Sequence, residues 1–286
     1  MHTVVSSPNK SVTIGSDQPF CIIGERINPT GRKAFQEQLR AGDLSSVAID
    51  VHAQIAGGAT MLDVNMGAPF VDEPEMLANA IKLIQSITDL PLCIDSSVFE
   101  ALEAGLAAYE GKALINSVTA EDERMEMIFP LVKKYGGAII ALPNDEFEIP
   151  DAPERRLELV DHIVRTATDK YGIPIEDIVI YPLAMPIGAD STMVVRTLET
   201  IQMIRQKYDL NTTLGASNVS FGMPDRHTLN SVFIPMAMQS GLTSAIMDSR
   251  TDQIVTAVRA ADLMKGNDEW GANWIAEHRA KIATAS

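Results

Sequence analysis

The chain has 286 residues, of which 46% are hydrophobic and 21% are charged, so it is long enough for one large domain with a sizeable core. Its formal net charge of -15 is repelled by phosphate backbones and anionic lipids, which disfavours binding to nucleic acid or to a membrane surface. A small molecule or another protein remains as the expected partner. The chain lacks a run approaching about 18 apolar residues and a signal-peptide pattern, so we expect a cytoplasmic protein.

The predicted strands and helices alternate along almost the whole chain. Residues 1–17 are polar and aperiodic, and we expect a flexible arm there. In residues 18–266, short apolar runs alternate with helical patterns, which is typical of strand–helix units around a parallel sheet. Their almost continuous apolar character indicates strands covered on both faces. Eight strands are predicted, at residues 20–27, 60–66, 92–96, 113–118, 138–142, 178–183, 212–218 and 243–248.

The segments between these strands carry apolar residues at helical spacing. Eight helices are predicted, at residues 44–57, 75–87, 98–109, 122–135, 153–171, 193–208, 228–240 and 252–265. Eight such units fit a (β/α)₈ TIM barrel better than an open sheet, and no Gly-x-Gly-x-x-Gly turn follows the first strand. Residues 267–286 are predicted to form a helical extension after the barrel.

Polar side chains follow most of the predicted strands. In a parallel barrel the carboxyl ends of all strands meet at one mouth, so these side chains should line one pocket. Asn offers a donor and an acceptor and Asp offers two acceptors, which suits a flat heterocycle such as a pteridine or a purine. The alternative for any single residue is a helix cap; Asp95 or Ser97, for example, precedes the helix near residue 98. The set comprises Glu25, Asn28, Asp63, Asn65, Asp95, Asn116, Asn144, Asn218 and Asp248.

Cysteine and histidine add little to this polar set. Cys21 and Cys93 lie inside predicted strands among apolar neighbours, so we expect buried thiols. His52, His162 and His227 fall on separate helical stretches without a His-x-x-x-His pair. The sequence therefore predicts no metal site.

Five motifs on successive strand ends carry a family resemblance. They are Gly24-Glu25-Arg26-Ile27-Asn28, Leu62-Asp63-Val64-Asn65-Met66-Gly67, Ile94-Asp95-Ser96, Ile115-Asn116-Ser117 and Gly215-Ala216-Ser217-Asn218-Val219-Ser220-Phe221-Gly222. Over about residues 20–265, the chain resembles methyltransferases that act between methyltetrahydrofolate and a corrinoid protein. This pterin-binding family includes the folate module of cobalamin-dependent methionine synthase and, more distantly, dihydropteroate synthase. The resemblance implies a barrel of the dihydropteroate synthase type.

The resemblance also implies roles for particular residues. Asp95 and Asn116 would hydrogen-bond the pterin ring, and Asn218 would face the methylated nitrogen as the catalytic residue. The wider predicted pterin site adds Glu25, Asp63, Asn65 and Tyr181. The family places an aspartate in an Asp-Pro pair on the sixth strand, where this chain has Tyr181-Pro182. A phenol cannot replace the two acceptor oxygens of a carboxylate.

We therefore predict a methyltransferase of one-carbon metabolism that moves a methyl group between tetrahydrofolate and cobalamin. The sequence has no Asp-x-His-x-x-Gly motif, so the cobalamin is expected on a separate corrinoid protein. The resemblance further implies a homodimer. Two alternatives stay open. A dihydropteroate synthase would need cations for a pyrophosphate, but Ser217-Asn218 comes with no lysine. A non-catalytic pterin-binding or corrinoid-partner subunit would explain Tyr181.

Overall fold

The computed structural model describes the backbone of residues 1–285 and the side chains of residues 1–279 and 282. The first 17 residues form a β-hairpin, so the expected flexible arm is wrong. Strand β1 (Thr3–Ser6) pairs antiparallel with β2 (Ser11–Ile14). Val5 and Ile14 are fully buried against the interior of the barrel, at the end where its strands begin. Alternating β-branched residues fit such a half-buried pair of strands.

Eight parallel strands form the barrel, as predicted. They hydrogen-bond in chain order from β3 to β9, and β10 lies beside β3. A bridge between Gly215 and Ile246 connects the segment after β9 to β10. The last predicted strand before β10 is much shorter than expected, because the backbone leaves regular pairing after Thr212. The strands are β3 (Cys21–Ile27), β4 (Met61–Val64), β5 (Leu92–Asp95), β6 (Leu114–Thr119), β7 (Ala138–Leu142), β8 (Ile178–Ile180), β9 (Asn211–Thr212) and β10 (Ser244–Met247).

The eight predicted helices are present around the barrel, and one further helix, α1, precedes them. Residues 166–170 continue α6 as a π-helix. A helix also forms in the predicted C-terminal extension, whose last residue, Ser286, lies outside the described residues. The helices are α1 (Lys33–Arg40), α2 (Ser45–Ala56), α3 (Glu73–Ile87), α4 (Phe99–Ala108), α5 (Asp122–Tyr135), α6 (Pro153–Arg165), α7 (Met193–Tyr208), α8 (Arg226–Ser240), α9 (Asp252–Lys265) and α10 (Ala272–Ala285).

The core has two layers because side chains alternate along each strand. Inward-facing residues such as Ile23, Met61 and Val179 fill the barrel, and outward-facing residues pack under the helices. Cys21 and Cys93 are both free and buried, which confirms the prediction of core thiols. Among residues 1–285, none of the helices combines the length and hydropathy needed to cross a bilayer.

Candidate functional site

Two amide–carboxylate pairs lie where β4, β5 and β6 end. Asn65 Nδ2 donates to Asp95 Oδ2 at 3.0 Å, and Asn116 Nδ2 donates to Asp63 Oδ1 at 3.3 Å. Strand register explains the proximity, because Asp95 lies beside Asn116 and Asp63 beside Cys93 in the parallel ladders. The structure therefore brings together four of the residues that the sequence placed at one mouth.

The carboxyl groups of the mouth hold their protons more tightly than free carboxyl groups do. Burial, followed by the charge of Asp248, raises the pKa of Glu25 to about 7. Burial also raises the pKa of Asp95 to about 6. Asp63 is 3% exposed, and burial together with the charge of Asp95 raises its pKa well above the usual value. Several raised carboxyl pKa values in one cleft are a common property of binding and catalytic sites.

The opposite side of the mouth is built around the phenol of Tyr181. The Gly215 N–H donates to the phenol oxygen at 3.0 Å, and the side-chain amide of Asn218 lies 2.7 Å from the same oxygen. A Cβ atom at residue 215 would lie 3.1 Å from the Asn218 amide and 3.2 Å from the phenol oxygen, so glycine leaves room for this contact. Ser217 Oγ lies 3.4 Å from Glu25 Oε1 and links this side to the first barrel strand.

Near Tyr181, side chains make the hydrogen bonds that a continued ladder between β8 and β9 would have made between backbone groups. Thr213 N still donates to Ile180 O at 3.0 Å. The N–H of Gly215, two residues further along the chain, donates to the phenol of Tyr181 instead of a backbone carbonyl. The carbonyl of Pro182 accepts from Arg156 Nη1 at 3.0 Å. Tyr181 and Arg156 thus satisfy backbone groups that a longer β9 would have paired.

Two other predicted mouth residues make contacts within their own loops, and a third contacts the loop after β6 through its backbone. Asn28 Oδ1 accepts from Thr30 N at 2.9 Å, which is a local turn. Asp248 pairs with Arg250 at 2.8 Å, and this contact helps to lower the pKa of Asp248. Asn144 contributes its backbone carbonyl to Ala120 N at 2.9 Å.

The alternative role of Asp95 as a helix cap is not what the structure shows. Val98 N, at the start of α4, donates to Ser96 Oγ at 3.0 Å. This contact is a serine turn just before the helix, and the N-terminus of α4 has no side-chain cap from Asp95, Ser96 or Ser97. The Asp95 carboxylate is left to contact Asn65 in the mouth.

Sequence patterns missed two arginines near the site. Arg226 Nη2 donates to Ser217 O at 2.6 Å, and the charge of Arg226 lowers the pKa of Glu25. Arg156 is fully buried and donates to the carbonyls of Pro150, Pro182 and Leu183. Backbone carbonyls are present at every residue, so a sequence motif gives no signal for such contacts. Within residues 1–285, no group of three or more His, Cys, Asp or Glu side chains has a metal-binding arrangement.

Two proteins of known activity are similar to this chain over most of its length. A methylcorrinoid:tetrahydrofolate methyltransferase of Eubacterium limosum is 32% identical over 253 residues, which cover 86% of this chain and 92% of that protein. A methionine synthase of Mycobacterium tuberculosis (strain ATCC 25618 / H37Rv) is 32% identical over 256 residues, or 85% of this chain. That match spans 21% of the methionine synthase, so only a part of the longer enzyme is similar.

Solved structures of other enzymes have a fold similar to that of this chain. Dihydropteroate synthase of Xanthomonas albilineans with 4-aminobenzoic acid has a TM-score of 0.70, and the match covers 93% of this chain and 99% of that one. At 16% sequence identity this likeness concerns the barrel alone. The family model described as pterin binding enzyme matches residues 24–248, which include the whole mouth. The chain therefore belongs to the pterin-binding enzymes.

Proposed function

We propose that the chain transfers a methyl group between tetrahydrofolate and the cobalamin of a separate corrinoid protein, in one-carbon metabolism. The similarity to the Eubacterium limosum methyltransferase over 92% of that protein supports this activity. The observation that carries the proposal is the set formed by buried Asp63 and half-buried Asn65, Asp95 and Asn116 at the mouth. These residues offer the mixture of donors and acceptors that a pterin edge needs.

Asp95 and Asn116 are assigned to the pterin ring. Asp95 accepts from Asn65 through Oδ2, and Asn116 donates to Asp63 through Nδ2. The second carboxylate oxygen of Asp95, Oδ1, and the amide oxygen of Asn116, also Oδ1, are assigned to the amino and N–H groups of the ring. With its pKa near 6, Asp95 is mainly ionised at pH 7. An ionised acceptor forms stronger hydrogen bonds to such donors than a neutral one does.

The reacting atom of the pterin is the nitrogen that carries the methyl group. In the direction from methyltetrahydrofolate, the bond between the methyl carbon and nitrogen breaks, its electron pair stays on nitrogen, and nitrogen takes up a proton. The corrinoid of the partner supplies the electron pair that receives the methyl group. Asn218 is assigned to hydrogen-bond this nitrogen, most strongly as the methyl group leaves. The raised pKa of Glu25, about 7, places a carboxyl that can hold or release a proton near neutral pH in the same mouth.

The partner must approach the same mouth, and three exposed phenylalanines lie on loops that leave it. Phe70 follows β4, Phe147 follows β7 and Phe221 follows β9, and they are 96%, 84% and 67% exposed. Aromatic side chains are enriched in protein interfaces. We assign these residues, named here the rim phenylalanines, to contact with the corrinoid protein. A cytoplasmic location and a homodimer remain predictions that cell fractionation and sedimentation velocity test.

Turnover is the decisive experiment. The purified chain is mixed with methyltetrahydrofolate and cob(I)alamin, either free or on a corrinoid protein, and the absorbance change of methyl transfer is followed by stopped flow. We expect transfer that depends on the enzyme and is much slower with Asn218→Ala. Pterin binding by calorimetry without any transfer in either direction would favour the non-catalytic subunit. Condensation of a pterin pyrophosphate with p-aminobenzoate would favour a dihydropteroate synthase.

A further inference from the structure

The phenol of Tyr181 has one hydrogen bond whose direction is certain. The Gly215 backbone N–H lies 3.0 Å from the phenol oxygen and can act only as a donor. The phenol proton must then go to a different acceptor. Tyr181 is packed among barrel residues, and the side chain of Asn218 is the other hydrogen-bonding group that the described residues place at its oxygen.

The amide of Asn218 can satisfy this proton only in one of its two orientations. With Nδ2 toward Tyr181, the phenol accepts twice and its own proton has no partner among the described hydrogen bonds. With the amide turned by 180°, the phenol donates to Oδ1 instead. The hydrogen-bonding partners of an amide decide which of its two orientations is adopted. The separation of 2.7 Å matches the usual O–H···O distance and is at the short limit for N–H···O.

Tyr109 shows the complete pattern at the opposite end of the barrel. Its oxygen accepts from Leu92 N at 3.2 Å, and its proton is donated to Ser6 O at 2.9 Å. A buried tyrosine that accepts one backbone N–H and donates its proton is therefore already present in this fold. The turned amide gives Tyr181 the same pair of bonds.

We infer that Tyr181 is a positioning residue: its phenol donates to Asn218 Oδ1 and directs Asn218 Nδ2 toward the substrate. The bond to Tyr181 is the side-chain hydrogen bond that the structure gives to Asn218, which is otherwise exposed in the mouth. Without it, the side chain is free to rotate away from the reacting nitrogen. The inference depends on the proposed function only for the consequence of this orientation, since the hydrogen-bond direction is a property of the free protein.

A role in positioning predicts an effect on rate and not on pterin affinity. Tyr181→Phe removes only the hydroxyl, and we expect kcat to fall by about tenfold while the pterin Kd stays within about threefold. In an Asn218→Ala background, Tyr181→Phe is expected to alter kcat by less than about twofold. The Asn218→Ala substitution has already removed the hydrogen bond between the two residues, so the second substitution has nothing further to remove. Tyr109→Phe is the matched control, since it deletes another hydroxyl that accepts from a backbone N–H, far from the mouth.

The second measurement does not depend on activity. In crystals of Tyr181→Phe, Asn218 is expected to leave its rotamer or to occupy several, and Gly215→Ala, which crowds the same contact, is expected to act likewise. An unchanged single rotamer of Asn218 in both variants would overturn the inference, as would equal kcat losses in the two backgrounds. A raised Kd with kcat preserved would make Tyr181 a pterin ligand instead. If the wild type transfers no methyl group, the proposed function fails and the crystals alone decide the positioning role.

Discussion

Removing the Asp95 carboxylate should weaken pterin binding without disturbing the barrel. Asp95 is half-buried at the end of β5, and its carboxylate accepts a hydrogen bond from Asn65 across the mouth. In the complex, Asp95→Ala leaves the amino and N–H groups of the ring without their acceptor. A buried unpaired donor costs about 1–3 kcal/mol, which corresponds to a Kd increase of about 5- to 150-fold.

Isothermal titration with methyltetrahydrofolate measures this change, and thermal unfolding checks that the variant is folded. Asp89→Ala is the matched control, because Asp89 is exposed near the start of β5 and pairs with Asn9 at 2.9 Å. We expect the control to bind like the wild type. An Asp95→Ala Kd within about twofold of the wild-type value would refute the assignment, since even the smallest cost above exceeds that change.

Three further predictions concern rate, pH and partner. Asn218→Ala is expected to lower the methyl-transfer rate by about 10²- to 10³-fold with a small change in Kd, as for other single transition-state donors; a stopped-flow rate within about threefold of wild type would contradict it. Because the folded pKa of Glu25 is raised from 4.5 to about 7, its contribution to stability is present at low pH and is lost as pH rises through that interval. Glu25→Gln should therefore stabilise the free protein above pH 7 by on the order of 1–3 kcal/mol in denaturant titrations and have little effect at pH 4.5; equal effects at both pH values would contradict it. Replacing the rim phenylalanines by alanine should slow transfer to protein-bound cobalamin and spare free cobalamin, whereas Trp270→Ala, which changes an exposed ring between α9 and α10, should spare both; equal slowing with both acceptors would argue against a docking role.

The barrel was predictable because nearly all of its strands are short apolar runs, each with a helix after it; β9 (Asn211–Thr212) is the polar exception. Buried parallel strands need such runs on both faces, so the pattern itself indicates the sheet. The hairpin at residues 3–14 was missed because its two strands have only four residues each, and Ser and Thr make up half of them. Its apolar face is small, and this face is buried because it packs against the open end of the barrel.

The sites of Asp63, Asn65, Asp95 and Asn116 followed from topology alone, since the carboxyl ends of parallel strands must converge. The roles of Asn28 and Asp248 did not follow. Each has a local donor two residues ahead, Thr30 N for Asn28 and Arg250 for Asp248. This donor occupies a side-chain oxygen that a ligand in the mouth would otherwise use. Strand-end position therefore identifies candidates, and nearby donors decide which of them remain available to a ligand.

The two sides of the mouth differ in how their geometry is fixed. On the side of β4, β5 and β6, the parallel ladder between β5 and β6 continues up to Asp95 and Asn116, the two residues assigned to the ring. Beside β8 and β9, the ladder ends after two residue pairs, and side chains of Tyr181 and Arg156 take over its last backbone groups. That irregularity frees the Gly215 N–H to fix the phenol, and the phenol in turn fixes Asn218. A longer β9 would pair this N–H within the sheet and leave Asn218 without its support, so the short strand is itself part of the proposed catalytic arrangement.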